Sequence, residues 1–73
     1  MFLGWFDPDR KRPAIDKLNE AIDRYTEKFG IAPEICLTSF LDADDVREGA
    51  TLPVRPVTFL KRGVFYVGVE DRG

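Results

Sequence analysis

The chain has 73 residues, a formal net charge of −2 and a pI near 5.0, with 44% hydrophobic and 33% charged residues. This balance indicates one small globular domain spanning residues 1–73, and its slight acidity argues against nucleic acid as the partner. One cysteine and no histidine exclude an internal disulfide and a structural zinc site, so we expect no cofactor and no metal.

The opening segment FLGWF (2–6) is rich in large hydrophobic side chains. No basic residue precedes it, and it is shorter than the apolar core of a signal peptide. No other stretch approaches the roughly 20 apolar residues of a membrane helix. We therefore expect a cytoplasmic protein without membrane association, in which this segment either adds a short strand or folds across the sheet.

The clearest element is a helix predicted over residues 13–30. Hydrophobic residues recur at alternating steps of three and four on one face, and charged residues, Lys17 among them, occupy the opposite face. Pro13 suits the first helical position, and Gly30 can adopt the left-handed conformation that ends a helix. The apolar face consists of Ile15, Leu18, Ile22, Tyr25 and Phe29.

The segment after the helix predicts a strand followed by a short turn. Residues 34–41 have strand length and apolar side chains on both faces, which favours a place in the interior of the sheet. Residues 42–49 are predicted to form one helical turn or an irregular loop, with Asp42 as its N-cap.

The last third predicts a hairpin. Its arms are residues 52–60 and 64–70, joined by a three-residue loop at 61–63 with Gly63 in the left-handed conformation. This register pairs Phe59 with Phe65. Two prolines, at positions 53 and 56, place the start of the first arm on a sheet edge.

Together these elements predict an α+β domain in the order (β)-α-β-(short turn)-β-β. One long amphipathic helix packs on one face of a small, mainly antiparallel sheet of three to four strands. The sheet residues expected beneath the helix are Val57, Phe59, Phe65, Val67 and Val69.

The cysteine and the acidic cluster, which could in principle support catalysis or metal binding, lie in sequence contexts that favour neither. Cys36 lies within an apolar strand and has no histidine to activate it, so a core role is favoured. The acidic run at 42–48 lacks the glycine and the spacing of a calcium loop. We therefore predict no enzymatic activity.

The second sheet face leads to the predicted function. Because one helix covers only one face, the other leaves apolar side chains for a second cover. We expect a non-catalytic interaction module whose partner is another protein or a second copy of the chain, as in a homodimer. The candidate interface residues are Trp5, Phe6, Leu60, Val64 and Tyr66.

A nucleic-acid-binding module is the alternative prediction. Basic residues precede the helix and flank the hairpin loop, and Tyr66 could stack on the bases of a single strand. The residues of this alternative site are Arg10, Lys11, Arg12, Arg55, Lys61 and Arg62.

Overall fold

The computed structural model describes residues 1–70 as four strands and two helices in the order β-α-β-α-β-β. This arrangement confirms the predicted α+β class, with a second helix where a single turn was expected. The elements are β1 (Phe2–Phe6), α1 (Ala14–Phe29), β2 (Ile35–Thr38), α2 (Phe40–Val46), β3 (Val54–Pro56) and β4 (Val64–Gly68).

The strands form one mixed sheet in the order β1-β4-β2-β3. β4 runs antiparallel to both β1 and β2, whereas β3 runs parallel to β2. The last strand in chain order therefore lies between the first and the second. β2 is in the interior as predicted, and β1 and β3 form the two edges.

Both helices lie on the same face of this sheet. Each belongs to a β-α-β connection between parallel strands, and both connections step across the sheet in the same direction. Since such crossovers are right-handed, α1 and α2 fall on one side. α1 contacts β1 and β4, α2 contacts β3, and the helices contact each other. Within residues 1–70, no helix covers the opposite face.

The core lies between α1 and the sheet. Leu18, Ala21 and Tyr25 of α1 are buried against Phe65 and Val67 of β4. Cys36 of β2 and Val46 of α2 complete this fully buried cluster. Burial of each large side chain contributes about 1.5–3 kcal/mol, which makes this cluster the main source of stability.

The ends of α1 agree closely with the prediction. Pro13 is the N-cap rather than the first helical residue, and its carbonyl accepts hydrogen bonds from the amides of Asp16 and Lys17. Gly30 ends the helix with φ 75°, and its amide donates to the carbonyl of Thr26. This left-handed glycine confirms the predicted C-terminus.

The predicted strand 34–41 was too long. β2 ends at Thr38 because Ser39 is the N-cap of α2, and its Oγ accepts the amide of Asp42 at 3.2 Å. Phe40 and Leu41 are therefore helical, and Asp42 is not the cap but the third residue of the helix.

The predicted hairpin differs in its details. The loop at 61–63 is present with Gly63 at φ 87°, as expected. The predicted register is wrong, because β3 is only three residues long and pairs with β2, while β4 pairs with β1 and β2. Phe59, expected beneath the helix, is 79% exposed. β3 pairs with the edge of β2 and not with β4, and local turn patterns do not predict such a long-range pairing.

Candidate functional site

The sheet face without a helix, here called the open face, is mostly apolar. The strand registers place Phe6 opposite Val64, and Tyr66 between Gly4 and Leu37. Phe6 is 50% exposed and Tyr66 is 41% exposed. The remaining members of this face are Phe2, Ile35, Arg55 and Gly68.

Glycines allow the aromatic rings to lie flat on this face. A Cβ at Gly4 would lie 3.2 Å from Cζ of the Tyr66 ring, and one at Gly68 would collide with the backbone of Phe2. The ring of Tyr66 thus covers Gly4 while keeping much of its own surface in solvent. The result is a low apolar surface rather than a row of protruding side chains.

A charged pair lies beside this apolar surface. Nη1 of Arg55 lies 2.7 Å from Oε1 of Glu70, and both side chains are partly exposed. An apolar centre with a solvated polar border is the usual anatomy of a protein contact surface.

The predicted interface residues divide between the faces. Phe6, Val64 and Tyr66 share the open face, whereas Trp5 lies on the helical side and packs against the core. The guanidinium of Arg24 lies 5.6 Å from the Trp5 ring centroid. Within the part of the chain that the structure describes, the buried indole N–H of Trp5 has no acceptor. Leu60 is half-buried in the segment before β4.

A second surface, here called the basic cleft, lies at one end of the sheet, where β1 ends and β4 begins. Its volume is about 660 Å³. Five cationic side chains and two carboxylates contribute to its walls. The lining residues are Phe6, Asp7, Pro8, Arg10, Arg12, Ala14, Lys17, Asp42, Lys61, Arg62 and Gly63.

Asp42 joins α2 to the loop that forms one wall of the cleft. Asp42 is only 3% exposed. Its Oδ2 accepts one hydrogen bond from the amide of Gly63 at 2.8 Å and one from the hydroxyl of Ser39 at 3.1 Å. Oδ1 accepts Nε of Arg62 at 3.3 Å. A buried carboxylate with these three donors holds the loop and directs Arg62 along the wall.

Asp7 organises the opposite wall. Its Oδ1 accepts the amide of Asp9, its Oδ2 accepts Nη1 of Arg12 at 2.8 Å, and its carbonyl oxygen accepts Nζ of Lys17 at 2.9 Å. The amide of Asp9 is the main cause that lowers the pKa of Asp7, with Arg12 and Lys17 adding to it, while desolvation opposes the change. Asp7 therefore stays ionised well into the acidic range.

The basic cleft collects four of the six cations predicted for nucleic-acid binding: Arg10, Arg12, Lys61 and Arg62. Arg55 lies on β3 at the far edge, and neither Lys11 nor Tyr66 is part of the lining. Lys17 was missed because its spacing assigned it to the exposed face of α1, whereas it is 8% exposed. The Ser39-x-x-Asp42 capping pattern was a sequence signal that could have identified Asp42 as part of a network.

Cys36 lies in the core, and burial, followed by the charge of Asp42, raises the pKa of its thiol to about 12. It is therefore a protonated core residue at neutral pH. Within residues 1–70, no group of three or more acidic or cysteine side chains could hold a metal ion. None of the helices described there is long and apolar enough to span a membrane.

No known protein family matches this chain, and no similar curated protein or solved structure was found.

Proposed function

We propose that this protein is a non-catalytic module that acts by protein–protein contact, and that the contact is self-association through the open face. The observation that carries the proposal is the exposed apolar surface around Tyr66 and Phe6, which both crossover helices leave uncovered. We place this module in the cytoplasm, in keeping with the composition of the chain.

The arrangement of β1 supports this proposal. The opening segment was predicted either to add a short strand or to fold across the sheet. It forms the strand, which pairs edge to edge with β4 and extends the sheet in its own plane. An extra strand adds area to the open face instead of shielding it. Apolar surface of this kind usually marks a site of contact with another molecule.

The composition of the face supports a second copy as the partner. Tyr66 lies at its centre, and aromatic residues are favoured in the buried centre of interfaces. The Arg55–Glu70 pair supplies both signs of charge beside the apolar residues. A two-fold contact brings each patch against its own copy, so a cation and an anion on each subunit can complement one another.

Sedimentation velocity over a wide concentration range tests this proposal. We expect the full chain to show a concentration-dependent dimer, and Tyr66→Lys to shift it to monomer because a cation would be desolvated at the centre of the contact. The matched control is Phe59→Ser, which removes an exposed aromatic side chain that lies outside the open face. It should sediment like the parent chain.

A strict monomer at every concentration would contradict self-association. Equal effects of Tyr66→Lys and Phe59→Ser would contradict the assignment to the open face. Circular dichroism of both variants separates loss of association from loss of fold, since neither side chain belongs to the buried core.

A further inference from the structure

The basic cleft contains more cations than its own carboxylates neutralise. Arg12 is paired with Asp7 at 2.8 Å and with Glu20 at 2.6 Å, and Arg62 is paired with Asp42 at 3.2 Å and with Asp45 at 2.7 Å. Arg10, Lys17 and Lys61 form no ion pair with a carboxylate anywhere in residues 1–70. In a chain whose net charge is −2, this is a local concentration of positive charge. Such a concentration attracts an anion.

Lys17 is the most informative of these cations. An ammonium group has three N–H donors. Across the described part of the chain, the ammonium of Lys17 makes one hydrogen bond, to the carbonyl oxygen of Asp7 at 2.9 Å. The residue is 8% exposed, and it lines the cleft. A buried cation with unused donors is costly unless an anion or water completes its coordination.

The start of α1 adds to the same positive field. Ala14, the first residue of this helix, lines the cleft, and Pro13 before it provides no side-chain hydrogen bond to the first turn. The first amides of a helix lack partners within the helix, and the macrodipole places partial positive charge there. The first amides of α1 and the ammonium of Lys17 therefore both add positive charge to the cleft.

We propose that the basic cleft binds the phosphate group of a small phosphomonoester. Phosphate offers enough oxygens for several donors at once, and Arg10, Lys17 and Lys61, which have no carboxylate partner in residues 1–70, can donate to it. The cleft volume of about 660 Å³ lies within the range of small-molecule sites. The half-exposed ring of Phe6 lies at the rim with the ammonium of Lys61 4.5 Å from its centroid, and a nucleoside monophosphate tests whether an aromatic group joined to the phosphate adds to binding there.

The surroundings favour a compact anion over a polymer. Asp16 is exposed in the first turn of α1, Arg12 is already held by Asp7 and Glu20, and Arg62 is already held by Asp42 and Asp45. A polyanion that extended beyond the cleft would meet these carboxylates. A terminal phosphate can enter the cleft without this repulsion.

Titration calorimetry and amide chemical-shift titration of the full chain test this assignment, with inorganic phosphate and adenosine 5′-monophosphate as ligands. We expect both to bind, with shifts at Ala14, Lys17 and Gly63. Arg10→Gln and Lys61→Gln should each weaken binding about three- to tenfold, as expected for loss of one charge-assisted contact. Neither side chain has an ion pair in residues 1–70 whose loss would disturb the fold.

Lys11→Gln is the matched control, because it removes the same charge next to the cleft from a residue that does not line it. It should bind as the parent chain does. The proposal is overturned if neither ligand binds, or if Lys11→Gln weakens binding as much as Lys61→Gln. A third arm uses a single-stranded oligonucleotide without a terminal phosphate. Tighter binding of that polymer, with a steep dependence on salt, would also overturn it in favour of a nucleic-acid surface.

Discussion

Asp42→Ala should be among the most destabilising single substitutions outside the apolar core. The residue is 3% exposed, and its carboxylate accepts the amide of Gly63 at 2.8 Å and the hydroxyl of Ser39 at 3.1 Å. Alanine leaves both donors buried without this partner. It also removes the ion pair with Arg62. Because the Arg62 side chain is 56% exposed, this pair contributes little to stability.

The expected loss can be worked from these contacts. A hydrogen bond to a charged group contributes about 1.5–3 kcal/mol, and each buried donor left unpaired costs about 1–3 kcal/mol. Allowing for overlap between these figures, we expect Asp42→Ala to lower the free energy of unfolding by about 3–5 kcal/mol. A domain of this size has roughly 4–11 kcal/mol in total, so the variant approaches the unfolding threshold at room temperature.

Urea denaturation followed by circular dichroism measures this difference. Asp42→Asn should lose about 1–2 kcal/mol, because its amide oxygen can still accept from Gly63. Asp44→Ala is the control, because the Asp44 side chain is 72% exposed and its ion pair with Arg47 is long, at 3.4 Å. It should change stability by less than about 0.5 kcal/mol. Equal midpoints for Asp42→Ala and Asp44→Ala would refute the structural role of the buried carboxylate.

Four further outcomes are expected. Leu18→Ala, at a fully buried position, should cost about 2–5 kcal/mol in thermal or urea unfolding, and near-parental melting would contradict the packing of α1 on the sheet. Gly63→Val should destabilise clearly because the residue has φ 87° and a Cβ would lie 2.6 Å from the carbonyl oxygen of Asp7, whereas Lys61→Ala should melt within about 0.5 kcal/mol of the parent. Deletion of residues 1–6 removes the edge strand paired with β4, so the truncated chain should unfold or sediment as assemblies larger than the dimer expected of the full chain; a truncated chain of equal stability that forms no larger assemblies would contradict a structural role for β1. Folding lowers the pKa of Asp7, so its carboxylate stabilises the fold above its unfolded pKa, and this stabilisation is lost as the pH falls through the folded pKa. Asp7→Asn should therefore reduce the fall in melting temperature at acidic pH. An unchanged fall would contradict the stabilising role of the Asp7 carboxylate.

The features that the sequence predicted correctly are those set by local physics. The spacing of apolar residues defines α1, and its end follows from the freedom of Gly30 at positive φ. The loop glycine, Gly63, follows from the same reasoning. The central place of β2 follows from apolar residues on both of its faces.

The features that were missed depend on contacts between distant parts of the chain. β3 pairs with β2 and not with β4, and no turn pattern distinguishes those two partners. The basic cleft depends on the Asp7 turn bringing its carbonyl oxygen to Lys17, which periodicity alone assigns to solvent. Of the cleft residues, only Asp42 could have been identified from local sequence, because the capping pattern that begins at Ser39 includes it.

Of the four strands in residues 1–70, β4 leaves the ribosome last, and it is the only one of them paired with β1. Until residues 64–68 emerge, β1 has no partner, and β2 can form only the three-residue pairing with β3. Phe65 and Val67, which the apolar side of α1 needs for burial, are also missing from the nascent chain until that point. The domain is therefore expected to fold only after residues 64–68 have left the ribosome, and the apolar side of α1 stays unburied until then.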